Sequence, residues 1–190
     1  MSVRNASPRE SLGNPDFSRP LRDADGAPLW VSHDPDEKPC PFCGLVAGDT
    51  SDPFNRCELS DIVHQDDDLL VFMASDGFGP HEGHAMIVPV EHREALYDLD
   101  ERLLGLIGAM SRDVALAMKL AWNPEGTSVR QHNEPAGNQH IWHYHLHVFP
   151  RYSDDKLYRQ LRHPVEVDVR EAKADELRPA LEEILAARRG

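Results

Sequence analysis

The stretch His143-Tyr144-His145-Leu146-His147-Val148-Phe149-Pro150-Arg151 governs how the rest of the chain is read. Three histidines alternate with apolar residues and run into a β-branched and aromatic tail. Strict alternation predicts a strand with one buried face. Successive side chains of a strand point to opposite sides, so His143, His145 and His147 share one face and Tyr144, Leu146 and Val148 the other. A lone histidine is usually a satisfied core or surface residue. Three at period two, at steps of roughly 6–7 Å, serve packing poorly and chemistry well.

All three imidazoles span roughly 13 Å of backbone, which strains one tetrahedral metal site. At least one histidine is therefore free to act as nucleophile or acid–base group. Neutral imidazole attacks phosphorus readily, and the phosphoramidate it forms is labile to water. The loop just upstream, with Gly137, Asn138 and Gln139, offers backbone and side-chain donors for phosphate oxygens. These ingredients point to phosphoryl or nucleotidyl transfer through a histidine intermediate.

A chain of 190 residues is long enough for one well-buried domain. No apolar run reaches the length of a membrane span and the polar N-terminal stretch lacks an h-region, so a soluble cytoplasmic protein is expected. The formal net charge of −13 disfavours a nonspecific grip on nucleic acid, which needs cationic surface, but leaves room for a locally positive pocket. Three cysteines do not make a disulfide framework. Cys57 reads as an ordinary free thiol. Cys40-Pro41-Phe42-Cys43 has the spacing of half a zinc site or of a redox pair. The absence of a surrounding βαβ pattern favours zinc, provided two more ligands lie downstream.

Residues 1–38, rich in Pro, Asp, Arg, Ser and Gly, read as a flexible arm, in which Pro28-Leu29-Trp30-Val31 is a possible docking run. Ile62-Val63-His64 and Leu69 to Met73 predict a hairpin about the acidic turn Gln65 to Asp68. Ser75 to Gly83 predicts a Gly/Pro-rich loop, followed by a strand over Ala85 to Pro89. Leu103, Leu104, Ile107, Met110, Val114, Ala117, Met118 and Ala121 set one apolar face of a helix capped by Asp100 and stopped by Asn123-Pro124. Thr127 to Arg130 is a fourth strand. Beyond Arg151 the chain is charged until an amphipathic helix over about Arg170 to Arg188, with Leu177, Leu181, Ile184 and Leu185 on one side. The fold class is α+β: an antiparallel sheet of about five strands, one long helix and a C-terminal helix.

His-Tyr-His-Leu-His-Val-Phe resembles the motif of the histidine triad (HIT) family, in which three histidines alternate with apolar residues. Cys40-x-x-Cys43, Gly83-His84-x-x-Ile87-Val88-Pro89-x-x-His92, the long helix and Ala136-Gly137-x-Gln139 follow in the family's order. The resemblance covers about residues 39–152, taken as the HIT domain, with 153–190 as a C-terminal extension. It implies a nucleotide phosphoramidase or nucleotidyl hydrolase/transferase that cleaves at the α-phosphate of a nucleoside phosphoramidate or dinucleoside polyphosphate. His145 would be the nucleophile, His147 would bond phosphate or leaving-group oxygen and help proton transfer, and His84 would support the triad. Asp76 would hold ribose hydroxyls, while Asn133 and Gln139 would serve the phosphate side, next to the loop donor Asn138 read above from the residues themselves. A structural zinc on Cys40, Cys43, His92 and His143 and a homodimer complete what the resemblance implies.

Asn138 and His140 stand where the family more often has glycine and a small hydroxyl residue. The third triad position, histidine and not glutamine, argues against the hexose-1-phosphate uridylyltransferase branch. His81, His132 and His140 read as solvent-exposed loop residues. Two other function classes are weighed: a nucleotide-binding regulatory module with little turnover, and a metallohydrolase whose catalytic metal sits between His143 and His145.

Overall fold

The computed structural model describes residues 22–29, 39–53, 55–79, 81 and 83–189. Of the expected arm, residues 22–29 form an exposed turn bridged at Arg22 and Pro28, while Trp30 and Val31 lie outside the described residues.

Cys40 caps the short helix α1 (Pro41–Val46), its Sγ accepting from the Cys43 amide at 3.4 Å. The apolar runs that follow form β1 (Ile62–Gln65) and β2 (Leu69–Met73), an antiparallel pair. Asp66 closes their turn by accepting from the amides of Asp68 and Leu69 at 2.9 and 2.8 Å, a local bond that aspartate makes readily. Next come β3 (Asp76–Phe78) and β4 (Ala85–Pro89). Helix α2 (Glu101–Trp122) starts where the Asp100 carboxylate accepts from the Leu103 amide at 2.7 Å and ends at Asn123, with φ 49°, a left-handed conformation that asparagine tolerates. β5 (Gly126–Gln131), β6 (Leu146–Arg151), β7 (Arg162–Pro164) and α3 (Val167–Arg189) complete the chain.

The architecture is the expected α+β one: a five-stranded antiparallel sheet in the order β1-β2-β4-β6-β5. Leu103, Ile107, Met110, Val114, Ala117 and Met118 of α2 and Leu177 and Leu181 of α3 join Val71, Ile87, Tyr144 and Val148 in one buried cluster. Phe42, Leu45 and Cys57 cover the opposite face at Leu70, Phe72, Met86 and Val88. Because both faces are covered, β2 and β4 are buried along their whole length, and their sequences are continuously apolar where a half-exposed strand alternates. Leu104, counted on the apolar face of α2, is 39% exposed and lies at its edge. Among the described residues no helix is long and apolar enough to cross a membrane.

Two expectations need correction. The histidine strand begins at Leu146, so His143 and His145 precede it and only His147 lies on it. Pairing from both neighbours ends there, β5 with Gln131 opposite Leu146 and β4 with Ile87 opposite Leu146, although β4 itself runs on to Pro89 beside β2. Pro89, the last residue of β4, has no amide to extend the ladder. The histidine and apolar faces nevertheless persist through the extended segment, with Tyr144 in the helix-covered core. The loop Ser75 to Gly83 in turn contains β3, which pairs with β7 from the charged segment near the C-terminal helix, matching Asp76 with Pro164 and Phe78 with Arg162.

Candidate active site and metal cluster

The first constellation lies where α1 meets the segment before β6. One ligand atom from each of Cys40, Cys43, His92 and His143 lies within 4.8 Å of all the others. The Sγ of Cys40 stands 3.3 Å from His143 Nδ1, and the Sγ of Cys43 stands 3.2 Å from His92 Nδ1 and 3.6 Å from His143 Nδ1. Tetrahedral zinc with ordinary Zn–S and Zn–N bonds needs sulfur and nitrogen roughly 3.5 Å apart. The backbone sets the histidine chemistry: His143 Nε2 donates to the Pro89 carbonyl at 2.8 Å, leaving the Nδ1 lone pair toward the sulfurs. Glu94 Oε1 lies 3.7 Å from His92 Nε2, the outer nitrogen of the second imidazole. Burial holds His143 neutral by lowering its pKa to about 4. The donor set fits a closed four-coordinate zinc site, with no position left for substrate.

The second constellation opens two residues later. His145 and His147, with ring centroids 5.0 Å apart, line a cavity of about 670 Å³ together with His84, Phe42 and Phe78. His145 Nδ1 donates to the His143 carbonyl at 2.8 Å, so its lone pair is on Nε2. Phe42, from the helix that Cys40 caps and Cys43 lies on, sets its ring edge-on to His143 and His145 at 5.9 and 5.6 Å. His145 is thereby held in place from the metal cluster without belonging to it, which disfavours a metal shared by His143 and His145. His147 Nδ1 lies 3.0 Å from His84 Nε2, and His84 stacks on Phe149 at 4.2 Å. The other nitrogen of His84, Nδ1, is buried and has no hydrogen-bond partner. An orphaned lone pair costs less there than an orphaned N–H, so the His84 proton sits on Nε2 and is donated to His147. His147 then presents its Nε2–H to the cavity. Burial lowers the pKa of His145 to about 4 and of His84 to about 3, and holds His147 well below the usual range.

The remaining predicted residues divide. Asp76 lines the cavity, with its carboxylate against Arg56 at 2.9 Å and near Arg162 at 3.7 Å. Asn138, left-handed at φ 68°, also lines it. Gln139 does not: its buried amide accepts from the Glu134 amide at 2.7 Å and donates to the Glu94 carbonyl at 2.6 Å. Asn133 likewise is spent within the loops, accepting from the Leu96 amide at 2.8 Å and exchanging bonds with Gln131. His132 and His140 line the cavity, and His140 is exposed as expected. His81 corrects that expectation: it is 4% exposed and 3.2 Å from the Asp155 carboxylate, because its bridge to Phe78 draws it inward. Cys57 is buried, and burial pushes its thiol up to about 12, consistent with an inert cysteine. Arg56, Arg130 and Arg162 in the wall were not foreseen. The signal for Arg130 was present in strand register, since it sits opposite His147.

A HIT domain model matches residues 57–154, just over half of the chain. The chain is 28% identical over 113 residues to Protein hit of Bacillus subtilis, covering 60% of this chain and 71% of that one. It superposes on a Zn-bound histidine triad family protein of Mycobacterium smegmatis with TM-score 0.64 at 26% identity, covering 78% of this chain and 96% of the other. A Hit-like protein of Bartonella henselae involved in cell-cycle regulation gives the same TM-score, 0.64, at 26% identity, with coverage of 79% and 99%.

Proposed function

Because the chain belongs to the HIT, or histidine triad, family, we propose that it cleaves nucleotides at the α-phosphate through a covalent nucleotidyl-His145. The observation that carries this reading is the 2.8 Å bond from His145 Nδ1 to the His143 carbonyl. It fixes the tautomer, leaves the Nε2 lone pair as the nucleophile, and gives the proton of the cationic intermediate an acceptor.

His145 Nε2 forms a bond to the α-phosphorus of a nucleoside monophosphate joined to a leaving group. The P–O or P–N bond to that group breaks, and its electron pair departs with the leaving group, which takes up a proton from solvent where it is an amine. The His147 Nε2–H, oriented by His84, hydrogen-bonds oxygen where charge accumulates. Water then attacks phosphorus, the P–N bond to His145 breaks with its pair returning to Nε2, and the water proton leaves to solvent. Asp76 and Asn138 belong to the proposed nucleotide contacts. Asn133 and Gln139 are proposed to act one step removed, by shaping the loop that presents Asn138.

Cys40, Cys43, His92 and His143 would hold a zinc ion, and the Zn-bound relative supports this assignment. Bound there, zinc supplies structural cross-linking and no reaction chemistry. A homodimer belongs to the proposal on the strength of the resemblance alone, and a cytoplasmic location on the sequence features read at the outset.

The test is intact-mass analysis after brief mixing with nucleoside phosphoramidates and dinucleoside polyphosphates. A nucleotidyl adduct on the wild type that disappears in His145→Ala is expected. Multiple turnover by a folded His145→Ala protein would overturn the covalent mechanism. Tight nucleotide binding without turnover across the panel would favour a regulatory module.

A further inference from the structure

Three arginines line the cavity of a protein whose formal net charge is −13. Arg56 and Arg162 face the Asp76 carboxylate. Arg130 does not: among the described residues no carboxylate forms an ion pair with it, and its Nε is buried without a hydrogen-bond partner. It extends from β5 opposite His147, with its guanidinium 5.0 Å from the ring centre of Phe78 and 5.1 Å from that of Phe149. Two aromatic faces therefore hold the cation in place and leave its charge unmatched. A fixed, half-buried, unpaired guanidinium in a cavity wall is a socket for an anion.

The position says which anion. Arg130 borders His84 and His147, the histidines on the far side of the triad from His143, and its charge helps keep both neutral. That is the side of the cavity where His147 is assigned above to phosphate or leaving-group oxygen as charge accumulates. Resting on that reading, we propose that Arg130 is the leaving-group subsite, and that it selects nucleotides whose α-phosphate is joined to a second anionic group such as phosphate. Such a group departs as a stable anion and needs no proton. A neutral imidazole N–H beside a fixed guanidinium suits that departure, whereas an amine must be protonated to leave.

Equilibrium binding to the full-length protein tests this with AMP and the non-cleavable α,β-methylene-ADP, which add one anionic group at constant nucleoside. The wild type is expected to bind the diphosphate analogue about tenfold or more tighter than AMP. Arg130→Met keeps an unbranched chain between the rings without the charge. It should reduce that ratio to about twofold or less while AMP affinity stays within about threefold. Arg130→Lys, a point charge without the planar fork, should restore part of the ratio and shows that loss in the Met variant is not misfolding. Equal wild-type affinity for the two ligands, or a ratio unchanged in a folded Arg130→Met, overturns the subsite while AMP binding keeps the nucleotide reading intact. Failure of the wild type to bind either ligand or to turn over any substrate overturns the nucleotide reading and the subsite with it.

Discussion

The two faces of the segment from His143 to Val148 solve opposite problems with alternate residues. Tyr144 and Val148 enter the helix-covered cluster, where shape and apolar area decide the outcome. His143, His145 and His147 enter a face where each imidazole is fixed by an individual partner: a cysteine sulfur, a backbone carbonyl or another histidine. The first face tolerates apolar exchange of similar volume and fails through cavities. The second fails through a single misplaced proton. Stability and chemistry are thus separable in a segment of six residues, and the separation can be attacked from both sides.

The largest effect is expected at His145. Replacing it with Ala removes the proposed nucleophile and should lower turnover by at least ~10³-fold, with thermal unfolding shifted by only a few degrees. Steady-state kinetics and a melting curve on the same preparation check both halves. Next comes the proposed zinc cluster, which is tied to the histidine face through α1 and Phe42. Cys40→Ser or a strong chelator should release zinc, measurable by metal analysis, and lower the melting temperature by roughly 10 °C or more. Activity should fall only as far as His145 loses its support. Complete loss of activity in protein that remains folded would give the metal a role beyond structure. On the helix face, Leu177→Ala, at a fully buried site, should cost about 2–5 kcal/mol in denaturant unfolding. Its KM should remain near the wild-type value.

The same contrast explains what the sequence discloses. Elements that bury apolar residues in short continuous runs or at a period of 3.6 are readable from one chain: β1, β2, β4, α2 and α3 sit close to where those patterns place them. The Cys/His cluster is readable once a family resemblance supplies His92 and His143, which are separated from the cysteines by long stretches of chain. Polar burial is not readable, because it depends on partners remote in sequence. Asp113 lies on the apolar face of α2 and is 1% exposed, since Arg188 reaches it from α3 at 2.9 Å. Arg170 and Asp61, both buried, meet at 3.0 Å across 109 residues. The strands β3 and β7 are three residues each and carry Gly77 and Pro164, too short and too poor in apolar residues to show a period. Gln139 and Asn133 occupy recognisable positions, but their amides are taken by backbone groups and, for Asn133, by the Gln131 side chain as well.

The histidine face also predicts a pH dependence with a definite sign. Burial lowers the pKa of His84 to about 3, and lowers that of His147 as well, whereas unfolded histidine titrates near ~6.5. Below about pH 6.5 the unfolded chain binds protons that the native state refuses, so stability is full above that pH and falls as pH drops toward 3. Urea midpoints at pH 8, 6 and 4.5 should decrease in that order. His84→Gln should flatten the slope, and a profile that rises on acidification would contradict the buried neutral assignment.

The smallest effect is expected where the two faces have least to do with each other, at Leu104. Helical spacing assigns it to the apolar face of α2, yet it is 39% exposed, on the same helix as the exposed Leu116 and Leu120. Within one chain, Leu104→Ser gives up the partial burial of a side chain already 39% exposed and should change unfolding free energy by about 1 kcal/mol, less than a core substitution. The prediction therefore discriminates between a lone chain and the proposed homodimer. If these leucines are covered by a second copy, the substitution will cost more, and the cost will depend on protein concentration. Sedimentation of the variant beside the wild type separates the two outcomes, because only a covered leucine couples stability to assembly.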